Sequence, residues 1–283
     1  MNSLHDDLEE RVINLVNQHS ERVVFRRGTE VIPVFHERYR SGLLEFWDEK
    51  EEAPKLVRDE SRRKEAFAGL LNIGKNTVPI LVKILISERD EYPNVYSYID
   101  DGVLPALREL GDEETSRKLV QPFQQKVRKV ADLNAEKYDS AEPYENQVWS
   151  IARLWEKYPI PEAIPALKMA IAEKVKHKEH PQNYLFLEYI RSSFFDALSS
   201  IATEESIVSE LNFAKEDAAW SKCSWSNHWL ADNSLNAYKG RVGKILYDIY
   251  RSTTDRQIKG LSSNILGTSK IGFWLNGVFH SIK

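Results

Sequence analysis

The chain has 283 residues, 42% hydrophobic and 11% aromatic, enough to fill the core of one large domain or two small ones. Charged residues make up 29%, yet the net charge is only -4 and the pI near 6.0, which excludes a strongly basic nucleic-acid binder by bulk charge but not a local basic patch. The single cysteine, Cys223, excludes an intrachain disulfide framework and any multi-cysteine metal site, and it fits a reducing compartment.

The first segment, "MNSLHDDLEERVINLVNQ", is acidic where a signal peptide would be basic and then apolar. It reads as an amphipathic helix: Ser3 and Asp6 make a capping-box pattern, and Leu8, Val12, Leu15 and Val16 share a face. No apolar run approaches the ~20 residues that span a bilayer, so a soluble, cytoplasmic chain without membrane contact is expected. Helical signals continue to the end. The segments "VVF" (23–25) and "VYSYI" (95–99) are too short and isolated to build a sheet, and the expected class is all-α.

Apolar helix, short polar turn and second apolar helix recur from Glu65, Val103, Val148 and Ser193, and more weakly from Val242. Taking Ile73, Leu110, Leu154, Ile201 and Ile249 as the last core residues of the first helices gives spacings of 37, 44, 47 and 48 residues. Two-helix solenoids repeat every ~40–47 residues. Proline boxes mark the helix starts: Pro79 and Pro165 open second helices and Pro105 opens a first one, where the missing N–H costs nothing. "RGTEVIPVF" repeats the Gly-to-Pro spacing of "IGKNTVPIL" and suggests a divergent unit near the N-terminus. Pro122, inside "KLVQPFQQKV", predicts a helix break just before it.

"AFAGLLNIGKNTVPILVKIL" and "LPALRELGDEETSRKLV" resemble HEAT repeats. Gly74 and Gly111 stand in the turn, where a positive φ would end the helix, and Asp112 stands at the start of the second helix. The third unit has "EKYPIP" in place of the glycine, and the fourth has Ala202 there. The resemblance implies an α-α superhelix, a solenoid of five to seven antiparallel helix pairs. Residues 1–53 would be N-terminal helices with a divergent repeat, 54–265 the HEAT-like repeats, and 266–283 a C-terminal cap, all in one solenoid domain. In that cap "SKIGFWLNGVFHSIK" reads as a helix striped by Ile271, Trp274, Leu275, Val278 and Ile282.

Chemistry-bearing motifs are scarce. No Walker A, GxGxxG or GxSxG occurs, and no catalytic residue or cofactor is assigned. In "WSKCSWSNHWL" (220–230) Cys223 and His228 diverge on a helix, while Ser224, His228 and Asp232 align four apart as a polar stripe. Trp225 and Trp229 are a candidate contact pair for a partner. "HKEH" (177–180) falls short of a zinc set, so no metal is expected. "EYPNVYSYIDDG" reads as a connection packed by its own tyrosines.

Charge is more informative. In HEAT-type solenoids second helices line the concave, binding face. That of the second unit, with its extension, carries Arg117, Lys118, Lys126, Arg128 and Lys129 against Glu113 and Glu114, a net +3. That of the third carries Lys168, Lys174, Lys176 and Lys178 against Glu162 and Glu173, a net +2. The expected function is therefore a non-enzymatic interaction scaffold that binds a partner protein through a basic band. The alternative is a nucleic-acid-binding HEAT-like protein, similar to the HEAT-like DNA glycosylases in its basic groove.

Overall fold

The structure, a computed structural model, describes residues 3–20, 22–25, 31–34, 55–58, 60–88, 102–134, 142–175, 184–185, 188–216, 226–267, 272–275 and 278–281. The chain divides into two compact units, Met1–Thr115 and Ser116–Lys283, both built mainly of helices packed on helices.

Unit 1 opens with α1 (Ser3–Ser20), followed by β1 (Arg22–Phe25), β2 (Val31–Val34) and β3 (Lys55–Arg58). Then come α2 (Glu60–Ile73), α3 (Val78–Ile86), α4 (Leu104–Leu110) and α5 (Glu113–Lys118), the last running across the unit boundary. Val12 and Val16 of α1 are fully buried where α1 meets α2. Gly69 of α2 permits that approach, since a Cβ there would stand 2.9 Å from Leu15 Cδ2.

The three strands form an antiparallel sheet in the order β2–β1–β3, with Val23 opposite both Pro33 and Val57. This corrects the expectation of a chain without sheets. It also corrects the divergent helical unit placed at "RGTEVIPVF", because Val31–Val34 is a strand. The runs "RVVF" and "VIPV" are rich in β-branched residues, and β2 is an edge strand, where proline is tolerated. The third partner, "KLVR", lies too far along the chain for local pattern to reveal the sheet.

Unit 2 contains α6 (Val120–Asn134), α7 (Glu142–Lys157), α8 (Ile164–Ala172), a two-residue strand pair β4 (Lys174–Val175) and β5 (Tyr184–Leu185), α9 (Glu188–Ile201), α10 (Glu204–Glu216), α11 (Asn227–Ala237), α12 (Lys239–Ser252), α13 (Arg256–Leu266), β6 (Gly272–Leu275) and β7 (Val278–Ser281). Alternate helices lie side by side. One row runs α7, α9, α11, α13, and the other α6, α8, α10, α12. Phe123, Trp155 and Phe194 link α6, α7 and α9 at ring separations of 4.7 and 5.8 Å. Ile207, Leu211, Leu235, Val242, Leu246 and Ile265 close the core among α10–α13.

β6 and β7 pair with Leu275 opposite Val278, so Gly272–Leu275 and Val278–Ser281 are strands and not parts of the helix the apolar stripe suggested. The Asn-Gly between those partners is the pair that two-residue hairpin turns favour, and three glycines weaken a helix.

Helix starts follow the prolines. Pro79, Pro105 and Pro165 are each the second residue of their helix, where the N–H would lack an intrahelical partner. The break before Pro122 falls at Leu119, since proline cannot donate to the carbonyl one turn back. Helix ends are more varied. Gly74 takes φ +75° and Ala202, at the matching place, takes φ +53°. Gly111 is different: its φ of -73° is ordinary, which corrects the positive φ expected there. A Cβ on Gly111 would lie 2.6 Å from Leu107 O, so close backbone approach is what requires glycine. By length and composition Glu60–Ile86 could cross a membrane. In the fold Gly74 interrupts it, and Leu70, Leu81, Ile84 and Leu85 are fully buried.

The core register also differs from the expected one. Ile73 and Leu110 are half-buried, and the fully buried residues lie one turn earlier, at Leu70 and Leu107. Leu70→Ala should therefore cost ~2–5 kcal/mol in urea unfolding, with Ile73→Ala costing less than half as much. Ala202→Gly should raise stability by up to ~1 kcal/mol, because glycine removes the left-handed strain and gives back only part of that gain in chain entropy.

Candidate functional site

The sequence-predicted binding residues that the structure describes lie on several elements of unit 2. Arg117 and Lys118 lie exposed on α5, with Arg117 Nε donating to Glu162 Oε1 at 3.2 Å. Arg128 and Lys168 are exposed on α6 and α8. Lys126 departs from the expected band, being only 5% exposed. Its ammonium and that of Lys129 sit 5.0 and 4.4 Å from the Tyr144 ring centre. Ring attraction thus holds both cations against α7. Lys174 belongs to β4 and not to a helix, since α8 ends at Ala172. Trp229 is 38% exposed on α11, while Trp225, Cys223, Ser224 and the "HKEH" and "EYPNVYSYID" segments lie outside the described residues. His228 and Asp232 are half-buried, one turn apart on α11.

What the structure does assemble is a polar cluster inside unit 2 that the sequence reading missed. Each helix gives one turn of polar side chains: Arg153 and Glu156 on α7, Asp196, Ser199 and Ser200 on α9, Ser234 on α11, and Arg241 on α12. Tyr238, between α11 and α12, and Glu210 of α10 complete it.

The partners are specific. Tyr238 OH donates to Glu156 Oε1 at 2.8 Å, and Arg153 Nη1 lies 2.5 Å from Glu156 Oε2 and 3.9 Å from Asp196 Oδ2. Ser200 Oγ donates to the Glu156 carbonyl at 2.7 Å and accepts from Arg241 Nη1 at 3.3 Å. Ser199 Oγ stands 2.9 and 3.1 Å from the two carboxyl oxygens of Glu210, and Ser234 Oγ stands 2.9 Å from Ser199 Oγ.

Electrostatics follow from burial. Burial raises the Asp196 carboxyl above its ordinary value, and the Glu156 charge raises it further. The fully buried Glu210 is pushed well above the carboxylate range by desolvation. Burial, then the Glu156 contact, likewise pushes the Tyr238 phenol upward. One signal could have exposed this cluster: Glu210 interrupts the stripe Ile207, Leu211, Ala214, all buried, on α10. A charge in an apolar stripe implies a partner.

Among the described residues no three His, Cys, Asp or Glu side chains converge as metal ligands. Comparison with models of protein families, with curated proteins and with solved structures finds no match to this chain.

Tyr238→Phe should cost ~0.5–1.5 kcal/mol in chemical denaturation by removing the donor to Glu156 while keeping the ring.

Proposed function

We propose that this chain is a HEAT-like helical-repeat protein that works as a non-enzymatic interaction scaffold, and that unit 2 binds an acidic partner protein. The observation that carries this reading is the alternation of neighbours in unit 2, where each helix lies beside the helix two places on. Stacked helix pairs produce such order, and stacks of pairs present long continuous faces.

Cross-ties at repeat spacing support it. Trp155 Nε1 donates to Ser116 O, 39 residues back, and Ser200 to Glu156 O, 44 residues back. Ser234 meets Ser199 across 35 residues, and Arg191 Nη2 donates to Asn227 Oδ1 across 36. The reciprocal cap at Asp112 and Thr115 is repeated at Thr203 and Ser206, at matching places after the turn.

Charge supports the acidic partner. Unit 1 has 24 acidic and 16 basic residues, whereas unit 2 has 19 and 23, a net of +4 in a chain of -4. The polar cluster supports a non-enzyme, because its hydroxyls and carboxylates are engaged with one another within the helix pack. The excess of cations in unit 2 also favours a second reading, nucleic-acid binding, in which phosphates take the place of carboxylates.

Affinity purification from the native host should recover an acidic protein. Reversal of Lys118, Arg128 and Lys168 to glutamate should weaken that complex at least tenfold and leave the circular dichroism unchanged. Unchanged affinity would remove these cations from the interface. Duplex binding with affinity falling steeply as salt rises would favour the nucleic-acid reading instead.

A further inference from the structure

The cationic excess of unit 2 has one address. Residues 239–266, which form α12, α13 and the turn between them, hold six cations and two acids. The rest of the unit holds 17 basic and 17 acidic residues and balances. Of the two acids, Asp255 is turned into the fold: it caps α13 through the N–H groups of Gln257 and Ile258, and its Oδ2 lies 2.5 Å from Lys215 Nζ. Among the described residues 239–266, Asp248 is the one exposed acid, against Lys244, Arg251, Arg256 and Lys259, all exposed.

Two tyrosines lie among these cations. Tyr247 follows Lys244 by three residues and precedes Arg251 by four, so the three share a face of α12. The rings of Tyr247 and Tyr250 are tilted by only 23°, with centres 6.5 Å apart, and Lys259 Nζ lies 5.2 Å from the Tyr250 centre. Arg256, three residues before Lys259, stands on the same side of α13. Both tyrosines are half-buried, so each ring is anchored in the helix pair and still reaches solvent. The outcome is a strip that crosses from α12 to α13, with aromatic rings in the middle and cations on both sides.

We propose that the outer face of α12 and α13 binds single-stranded nucleic acid, with phosphates on Lys244, Arg251, Arg256 and Lys259 and bases against Tyr247 and Tyr250. This rests on the nucleic-acid reading above and gives it residues other than Lys118, Arg128 and Lys168. Rings set between cations match a chain whose charged backbone alternates with flat bases. An acidic peptide would meet the cations but brings no flat group to the rings. A duplex keeps its base faces stacked on one another, away from any tyrosine.

Fluorescence anisotropy of the full chain with labelled 20-nucleotide oligo(dT) should show binding that weakens ~50-fold between 50 and 200 mM salt, the fall expected of four phosphate contacts on a single strand. Reversal of Lys244, Arg256 and Lys259 to glutamate should weaken it at least tenfold with circular dichroism unchanged. The same reversal of Lys118, Arg128 and Lys168 should change it less than threefold. Tyr247→Leu should weaken it at least fivefold, through lost stacking. Equal losses from the two reversals, unchanged binding in Tyr247→Leu, or no binding of oligo(dT) at 50 mM salt would each overturn the proposal. Tighter binding of poly-L-glutamate would overturn it in favour of an acidic partner on this face. Tighter binding of duplex DNA would overturn it too, and would leave the broader nucleic-acid reading standing.

Discussion

Each unit depends on one constraint: a helix must stop and its successor begin within a few residues, with the freed backbone groups satisfied. Residues 74, 111 and 202 meet it by two means. Gly74 and Ala202 turn left-handed, and Gly111 is extended and passes so close to Leu107 O that a side chain there would strike it. The next helix then needs partners for its first N–H groups. Asp112 provides one to Thr115 N at 3.0 Å, a bond that also draws the Asp112 pKa down to about 2. Ser226 caps α11 through Trp229 N, and Asp255 caps α13 through the N–H groups of Gln257 and Ile258. Caps of this kind are each worth about 1 kcal/mol. Because they fix where helices reverse, they fix which helices become neighbours.

That constraint is local, which is why so much of the helical order was legible in the sequence. Pro79, Pro105, Pro165 and Pro122 each act through the chain immediately around them. The core was read one turn late at Ile73 and Leu110 because the last apolar residue before a turn need not face the neighbouring helix. Leu70 and Leu107 do, and both are fully buried. The sheet was not legible, since β3 joins β1 only through tertiary pairing. In the C-terminal segment two periodicities compete: one set of apolar residues fits a helical stripe and a hairpin, and an Asn-Gly pair in the sequence favours the hairpin.

The polar cluster was illegible for a further reason. Arg153 with Glu156, or Asp196 with Ser199 and Ser200, looks on its own helix like an ordinary solvated turn. Only the stacking of α7, α9 and α11 brings these turns together, with Glu210 added from α10. Glu210 alone carried a warning, in its apolar stripe. Once assembled, the cluster specifies register more than it adds stability. Sliding one helix by a turn would leave several buried hydroxyls and carboxyls unpaired at about 1–3 kcal/mol each, while apolar contacts would largely re-form.

The acids of the polar cluster and the exposed cations of unit 2 have different surroundings. The acids of the cluster are drawn inward and screened by Arg153, Tyr238 and the serines, whereas Lys118, Arg128 and Lys168 remain exposed. The field felt by an approaching partner comes chiefly from exposed groups, because buried and paired charges contribute little beyond their neighbours. Burying Glu210 and half-burying Glu156 and Asp196 between helix rows thus orders the repeats and, at the same time, takes three acids of unit 2 away from its fully exposed surface. That links the interior cluster to the proposed preference for an acidic partner without any contact between the two.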